Sequence, residues 1–290
     1  PLPHRRGRCS TLYSVDFWGK GWYICENENI YGVCSMKKEY SILKKEALTA
    51  LSSYMDSLGE NQGSKLAYWI SDYVRFLKRE PGFDPKKLIR YKRGAIVKVH
   101  LGYRVGSEEG GLHYAVVMDV DNKLSNPVAT VIPLTSIKPD TDLDHLHSSK
   151  VFLGDEIFVK LLEELKEYQK QTLCLQEDIL TQQKALLAQK VDQKDENYEM
   201  LSAKRRLQLE SINIQIESMK ERAARCKKML QEVQKMKQGS IALVGQITTV
   251  SKLRIYDPLY PSDVLSNIRL SSDSLEKLDT KLKALYTYQK

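Results

Sequence analysis

The chain has 290 residues, of which 42% are hydrophobic, and its 45 Lys and Arg against 37 Asp and Glu give a net charge of +8. This length allows one large domain or two, and no apolar run approaches the roughly 20 residues needed to span a bilayer. No secretory leader is visible at the start, so we expect a soluble, cytoplasmic protein without a membrane partner. The modest basic excess weakly favours an anionic partner such as nucleic acid.

The first 35 residues show neither helical nor strand periodicity, and they hold three of the five cysteines. An odd number of cysteines without close C-x-x-C pairs argues against a disulfide framework or a zinc site. Because Met36 precedes a more ordinary helical pattern, we interpret residues 1–35 as a tail or an annotation extension.

Residues 36–80 predict an N-terminal region of two helices. Apolar residues recur at helical spacing in both: Tyr40, Leu43, Leu48, Leu51 and Met55 in the first, and Leu66, Trp69, Ile70, Tyr73, Phe76 and Leu77 in the second. The stretch "GENQG" at 59–63 separates them. The second helix is expected to end before Pro81, because the residue preceding a proline avoids the helical region.

The hydrophobic periodicity changes from 3.6 to 2 after residue 92. Four short segments are rich in β-branched residues and are separated by Gly, Asn, Asp and Ser: 95–101, 114–120, 129–134 and 150–153. Short, closely spaced strands of this kind are typical of a small antiparallel barrel.

The segment from Glu156 to Lys237 contains neither Pro nor Gly. Seam positions recur every three or four residues: Phe158, Leu161, Leu165, Tyr168, Thr172, Leu175, Ile179, Gln182 and Leu186, then Leu209, Ile212, Ile216, Met219, Ala223, Cys226, Leu230 and Val233. Such a seam is typical of a coiled coil, and the polar stretch 191–199 predicts an antiparallel hairpin with its tip there. A spacer or a dimer strut is an equally open interpretation.

Strand-like residues resume at 239–256, so the β-pattern brackets the helical segment. The simplest topology is a single α+β domain in which residues 92–154 and 239–290 form one antiparallel barrel and a C-terminal helix. Residues 155–238 are then an inserted coiled-coil hairpin.

Long insertions between close chain ends add little closure entropy. We therefore expect the barrel to fold when Gly154 is joined directly to Gly239 by a short linker. The C-terminal helix is predicted to begin at a capping box formed by Asp273 and Glu276.

Common catalytic motifs are absent: the sequence has no P-loop, no H-E-x-x-H and no nucleophile elbow. His145 and His147 lie on one side of an extended segment, but no third ligand is apparent, so we predict no metal site. The stretch "GSEEGG" at 106–111 precedes a strand and not a helix, which excludes a dinucleotide site.

The longer stretch "GSEEGGLHYAVV", residues 106–117, still needs an explanation. Its glycines allow a sharp turn and the close approach of a ligand. Taken alone, a flexible hairpin turn is the simpler interpretation.

The order of motifs around this stretch is more specific. Residues 92–136, "KRGAIVKVHLGYRVGSEEGGLHYAVVMDVDNKLSNPVATVIPLTS", contain an R-G-x-I-V strand, a G-S-E-x-G-G loop, a V-V strand, Asn122 and a P-x-T-S tetrad at 133–136. This arrangement resembles the MazF/PemK family of toxin endoribonucleases. Residues 239–256, with Gln246 in a recurrent position, look like later strands of the same family.

The resemblance implies an SH3-like barrel of the MazF/PemK/CcdB type, a homodimer and a protein antitoxin as partner. It also implies metal-independent, sequence-selective cleavage of single-stranded RNA, in a toxin–antitoxin or phage-defence module. The implied nucleophile is the RNA 2′-hydroxyl, so no cofactor is needed.

Catalysis in the family is attributed to an Arg after the double glycine and to the Thr of the tetrad. Thr135 matches the second residue, whereas His113 stands where the Arg is expected and Tyr114 replaces a Pro. Imidazole suits proton transfer near neutral pH, and Glu108 and Glu109 are close enough in sequence to favour its charged form. His113 could instead only pack and hydrogen-bond, which would leave an inactive protein that binds RNA.

Single-stranded RNA is bound through stacking, splayed bases and phosphate contacts. The residues expected to contribute lie on the loops and strand ends beside the proposed site: Tyr103, Arg104, Ser107, Glu108, Tyr114, Ser136 and Lys138.

Two alternatives come from other functional classes. The same fold serves gyrase-poisoning toxins, so a non-enzymatic toxin that binds gyrase, DNA or RNA is one of them. In the other, the hairpin is the main functional part and acts as an interaction scaffold. The two family signatures favour the nuclease, and the missing Arg favours the alternatives.

Overall fold

The computed structural model of the protein describes residues 30–189 and 197–288. The chain divides into two compact units, one up to Ala67 and the other from Tyr68 onward. None of the described helices is long and apolar enough to cross a membrane.

The first unit holds α1 (Ile30–Ser57) and the beginning of α2 (Glu60–Arg79). Both predicted helices are therefore present, and α1 begins inside the segment 1–35 that we interpreted as a tail. Residues 1–29 of that segment lie outside the described residues. Its predicted apolar positions Tyr40, Leu43 and Leu48 are all more than half exposed. Helical spacing identified this face of α1 without implying that it is buried.

The second unit is built on one antiparallel sheet. Its seven strands are β1 (Ile96–His100), β2 (Leu112–Val117), β3 (Val128–Ser136), β4 (Lys150–Gly154), β5 (Ser240–Leu243), β6 (Thr248–Ser251) and β7 (Ile255–Asp257). The four strands predicted before the helical segment are confirmed within a few residues. The predicted segment 239–256 contains three short strands, which 3₁₀ turns at Val244–Gln246 and Lys252–Arg254 separate.

The long strand β3 organises the sheet because three other strands pair with it. Its residues 131–133 pair with β2, residues 134–136 pair with β5, and residues 128–131 pair with β6. The strand order is β4-β5-β3-β2-β1-β7, with β6 attached to β3. Among the described residues no pairing joins β4 to β7, so this α+β sheet is open and is not the closed barrel that we expected.

Two helices, α3 (Glu156–Ala188) and α4 (Tyr198–Lys235), lie in the chain between β4 and β5, which pair with each other. They pack antiparallel: Thr172 Oγ1 lies 3.8 Å from Cys226 Sγ, and further along the helices Ile179 packs in one cluster with Ile212. Most of the predicted tip at 191–199 lies outside the described residues. A supercoiled seam remains a prediction.

The predicted seam is correct for α3 but partly displaced in α4. Leu161, Leu165 and Ile179 of α3 are buried as expected. In α4, Leu230 is 43% exposed, whereas its neighbour Met229 is fully buried. The displacement arises because the last turns of α4 also face the core beside the sheet, where Met229 packs with residues of β1, β2 and β3.

The base of the helix pair belongs to this core. Five of its residues are buried in one cluster with Ile96, Val116 and Ile132 of the sheet: Ile157, Leu161, Leu165, Met229 and Met236. Burial of each such side chain stabilises a fold by roughly 1.5–3 kcal/mol. The two ends of the segment 155–238 are therefore part of the core, contrary to the expectation that the whole segment can be removed.

The chain continues from the sheet into α5 (Ser272–Tyr286). Its N-cap is Ser271, whose hydroxyl accepts a hydrogen bond from the Ser274 N–H. The Glu156 carboxylate accepts from the Ser271 N–H and the Ser274 hydroxyl. The capping box predicted at Asp273 and Glu276 is therefore wrong, since a carboxylate distant in sequence makes Ser271 the better cap.

Candidate active site

The glycine-rich stretch forms the loop between β1 and β2. Backbone hydrogen bonds close its base, with the Leu101 N–H donating to Gly111 O at 2.8 Å and the Gly111 N–H donating to Gly102 O at 2.7 Å. Gly111 has a φ of +86°, a conformation that side chains rarely adopt. At Gly110 a Cβ atom would lie 2.8 Å from the Arg104 backbone nitrogen. The loop thus needs these glycines to fold back on itself.

Gln246 holds this loop from the far end of the chain. Its Oε1 atom accepts a hydrogen bond from the Glu109 N–H at 2.6 Å, and its Nε2 atom donates to Ser107 O at 3.3 Å. Gln246 ends the 3₁₀ turn after β5. The amide side chain thereby fixes the backbone on which Glu109 sits.

His113 is the second residue of β2, and both of its ring nitrogens face acceptor oxygens. Nδ1 lies 3.2 Å from the carbonyl oxygen of Leu134, and Nε2 lies 3.0 Å from Oε1 of Glu109. A neutral imidazole has only one N–H to donate, whereas the imidazolium ion has two. Only the imidazolium form of His113 can therefore donate a hydrogen bond to both acceptor oxygens at once. The His113 side chain is 26% exposed.

Thr135 lies on β3 beside His113. The β2–β3 ladder ends at the pair Ala115–Pro133, and beyond it the His113 ring contacts the carbonyl oxygen of Leu134, the residue before Thr135. Both residues line a pocket of about 190 Å³. Its other walls come from neighbouring residues of β2 and β3, from Ile157, and from the connection between α4 and β5.

Tyr114 also lines the pocket, but its hydroxyl is already engaged. It donates a hydrogen bond to the Glu232 carboxylate, which also pairs with the Lys98 ammonium group. Burial and the Glu232 contact raise the pKa of the Tyr114 hydroxyl. Burial opposes ionisation of Glu232, but the bonds from Lys98 and Tyr114 outweigh it and hold the pKa of this carboxyl below its usual value. Tyr114 thus connects β2 to the base of α4.

The residues expected to contact RNA fall into two groups. Tyr114 and Ser136 line the pocket together with His113 and Thr135. The others lie on the adjoining loops and do not line it: the half-buried Tyr103 and the exposed Arg104, Ser107, Glu108 and Lys138. The Glu108 carboxylate accepts a hydrogen bond from the Val105 N–H at 3.1 Å and does not reach His113. Of the two glutamates considered from the sequence, Glu109 is the one that pairs with the ring.

Lys235 and Lys237 also line the pocket, and sequence reasoning did not select them. Both follow the apolar seam of α4, in a part of the chain that was assigned to the inserted hairpin. The only sequence signal was their position immediately before Gly239, where the chain re-enters the sheet.

A second histidine stabilises the start of the loop. The His100 ring stacks on Trp69 with centroids 4.7 Å apart, and its Nδ1 atom accepts from the Gly102 N–H at 3.1 Å. Burial lowers the pKa of His100, with Arg254 and Arg75 acting in the same direction and Asp72 opposing them. His100 is therefore held as a neutral acceptor that positions Gly102.

In the part of the chain that the structure describes, no group of three or more His, Cys, Asp or Glu side chains is arranged to hold a metal ion. The two histidines considered from the sequence have local partners: His145 Nδ1 lies 2.8 Å from Asp142 Oδ2, and His147 Nδ1 lies 2.8 Å from Ser149 Oγ.

These observations define an α+β protein with an open antiparallel sheet and a pocket where β2, β3 and the α4–β5 connection meet. Residues 92–210 match the family of PemK-like, MazF-like toxins of type II toxin–antitoxin systems, which confirms the resemblance for this part of the chain. The match begins just before β1 and ends in the first half of α4, so it does not include the strands after residue 239. No curated protein matches the chain.

Proposed function

We propose that the protein is the toxin of a toxin–antitoxin or phage-defence module and cleaves single-stranded RNA in the cytoplasm. The family match at residues 92–210 supports the toxin assignment. The observation that carries the nuclease assignment is the 3.0 Å contact of His113 with Glu109, because His113 also lines one pocket together with Thr135. The family implies that the protein forms a homodimer and that a protein antitoxin binds it. The proposed substrate is single-stranded RNA, which is cleaved sequence-selectively.

Cleavage by the RNA 2′-hydroxyl requires three things. The hydroxyl proton must be removed, the phosphate must be stabilised as it gains negative charge, and the departing 5′-oxygen must be protonated. A bidentate Arg supplies only the charge stabilisation. An imidazolium ion supplies positive charge together with a transferable proton.

In the proposed reaction the Glu109 carboxylate accepts the proton of the 2′-hydroxyl, whose oxygen forms a bond to phosphorus. The bond from phosphorus to the 5′-oxygen breaks, and the His113 imidazolium donates its proton to that oxygen. The products are a 2′,3′-cyclic phosphate and a 5′-hydroxyl. Proton transfer from Glu109 back to His113, over the 3.0 Å that separates them, restores the starting state.

Thr135 is proposed to donate a hydrogen bond from its hydroxyl to a non-bridging phosphate oxygen. The exposed residues Arg104, Ser107, Glu108 and Lys138 are proposed to contact the flanking nucleotides, and Ser136 the nucleotide at the pocket. Tyr114 has its hydroxyl bonded to Glu232, so only its ring is proposed to contact a base. Neither a metal ion nor a cofactor takes part in these steps.

A non-enzymatic toxin that binds nucleic acid or gyrase is the second candidate. It is favoured by the fact that both His113 nitrogens already have partners within the protein. Such a ring would act as a structural link between the loop and β3.

Incubation of the purified protein with a long RNA in EDTA, followed by mapping of the ends, tests the proposal. Discrete cuts with 2′,3′-cyclic phosphate and 5′-hydroxyl ends are expected. Intact RNA in the presence of folded protein, or cuts that leave 5′-phosphates, would overturn it. Inhibition of gyrase by the same preparation would support the second candidate.

A further inference from the structure

The connection between α4 and β5 forms one wall of the candidate active site. Met236 is buried in the main core, and its N–H donates to Glu232 O at 2.9 Å. Lys235 and Lys237 are both exposed, and both line the pocket that holds His113 and Thr135. A buried residue between two exposed lysines anchors them at the pocket.

The chain after these lysines has little freedom. Gly239 has a φ of +79°, and a Cβ atom there would lie 2.0 Å from the Ile137 side chain. The carbonyl oxygen of Gly239 also accepts a hydrogen bond from the Ile137 N–H at 3.3 Å. Close packing of this turn against the end of β3 therefore fixes where Lys237 leaves the core.

The charges around the pocket are unequally compensated. The Lys98 ammonium group is paired with the Glu232 carboxylate, so it adds little positive charge. Neither Lys235 nor Lys237 forms a salt bridge with a carboxylate of the described residues, although the charge of Lys235 acts on Glu232. Lys235 also interacts favourably with the helix dipole, because it lies in the last turn of α4. This interaction does not account for Lys237, which lies beyond the helix, or for the fact that both lysines line the same pocket.

We propose that Lys235 and Lys237 form a phosphate-binding subsite for the nucleic-acid strand that enters the pocket. The inference rests on the proposed function, because it takes RNA as the ligand. The C-terminal end of α4 and the two residues after it would then contribute both to the core, through Met229 and Met236, and to the substrate site, through Lys235 and Lys237. The subsite binds a backbone phosphate adjacent to the scissile one and carries no information on base sequence.

The test compares the double variant K235A/K237A with K227A/K228A. The control pair lies on α4, as Lys235 does; it is exposed, removes the same charge and does not line the pocket. The probe is a short, random-sequence 2′-O-methyl RNA, which lacks the attacking hydroxyl and cannot be cleaved. Its affinity is measured by fluorescence anisotropy over a range of salt concentrations, and the melting temperature of each variant is recorded.

Each lost phosphate contact on a single strand reduces the slope of log K against log salt by about 0.7. We expect K235A/K237A to weaken binding at low salt by about tenfold or more and to reduce the slope by about 0.7, because the contact with one phosphate is lost. The control pair should keep the wild-type slope, and both melting temperatures should remain close to that of the wild type.

Equal salt slopes for K235A/K237A and the wild type would overturn the inference, even where the wild type cleaves RNA. A failure of the wild type to bind the probe would overturn it as well. Binding that depends on Lys235 and Lys237, in a protein that leaves unmodified RNA intact, would support the subsite and overturn the proposed nuclease instead.

Discussion

The Nε2 atom of His113 lies 3.0 Å from Oε1 of Glu109, across the final turn of the glycine-rich loop. The two residues are four positions apart, and the left-handed conformation of Gly111 brings the loop back towards β2. On the other side of the ring, Nδ1 faces the Leu134 carbonyl oxygen of β3. The loop therefore supplies the charge that holds this histidine at the pocket.

Replacement of His113 by Ala should remove both the proton donor and the positive charge. General acid–base catalysis typically contributes about 10²–10⁴-fold, so we expect cleavage to fall by at least that factor and toxicity to be lost. His113→Arg restores charge without an easily transferred proton and should retain part of the activity. End-mapping and cell-growth assays measure both variants, and wild-type cleavage by His113→Ala at an unchanged melting temperature would remove this residue from the mechanism.

Glu109→Gln tests the second half of the pair. The amide keeps the shape of the side chain but cannot accept the 2′-hydroxyl proton, so turnover should fall by about 10²-fold or more. The exposed Glu276 of α5 provides a matched control, since Glu276→Gln removes the same charge away from the pocket. If the two variants cleaved RNA at equal rates, Glu109 would not be the general base, and its contact with His113 would be structural.

Thr135→Val should lower turnover far more than stability. The substitution removes a hydroxyl proposed to donate to the phosphate, and the two side chains are almost equal in size. Thr130→Val is the control on the same strand, because the Thr130 hydroxyl forms a hydrogen bond, among the described residues, with Thr249 alone, at 3.3 Å, and Thr130 does not line the pocket. Single-turnover rates and thermal melts are compared for both. A similar loss of melting temperature and of rate in Thr135→Val would indicate a structural role.

Asp257 gives a prediction on pH and stability. Burial, assisted by Asp263 and Glu232 and opposed by a hydrogen bond from the Leu265 N–H, raises the pKa of its carboxyl to about 6 from 3.8. The folded state thus binds this proton more tightly than the unfolded chain. The associated stability is fully present below pH 3.8 and is lost as the pH rises through about 6.

Asp257→Asn removes this ionisation and retains an oxygen that can accept from Leu265. We expect the variant to gain stability relative to the wild type between pH 4 and pH 7, by on the order of 1–2 kcal/mol because solvent screens part of the charge. Denaturant unfolding at both pH values measures the difference. The exposed Asp140→Asn is the control, and a wild-type pH profile in Asp257→Asn would contradict the prediction.

The elements of this fold follow well from periodicity, because alternation and helical spacing are local properties. The strands before residue 154 and the two long helices were predicted on that basis and are confirmed within a few residues. The displacement of the α4 seam from Leu230 to Met229 could not be predicted in this way. It depends on which other surface meets the helix, and spacing along one chain segment carries no such information.

The candidate site was predictable only in part for the same reason. His113 and Thr135 could be selected because each stands in a recognisable motif. Lys235 and Lys237 stand in no motif, and their place at the pocket depends on tertiary packing, such as the burial of Met236 and the close approach of Gly239 to Ile137. The N-cap of α5 is a comparable case, since Glu156, more than a hundred residues earlier, selects Ser271.

The helix pair gives the last prediction, on which parts of it the core needs. Joining Gly154 directly to Gly239 removes Ile157, Leu161 and Met229 from the main cluster, and the loss of one large core side chain typically destabilises a protein by about 2–5 kcal/mol. We therefore expect that deletion to yield unfolded or insoluble protein.

A shorter deletion should behave differently. Thr172 lies against Cys226, so replacing residues 176–222 by a short Gly/Ser turn keeps the base of both helices and joins them where they are already in contact. This variant retains the buried base, Glu232 and both pocket lysines, and it should fold and cleave RNA at close to the wild-type rate. We propose that the distal part of the helix pair is a regulatory or partner-binding arm, so the variant should also escape control by the antitoxin in co-expression. Circular dichroism, end-mapping and growth assays measure these properties, with the full deletion as the comparison. A folded but inactive shortened protein would place the distal helices in the catalytic machinery, and normal antitoxin control would place the partner's binding site elsewhere.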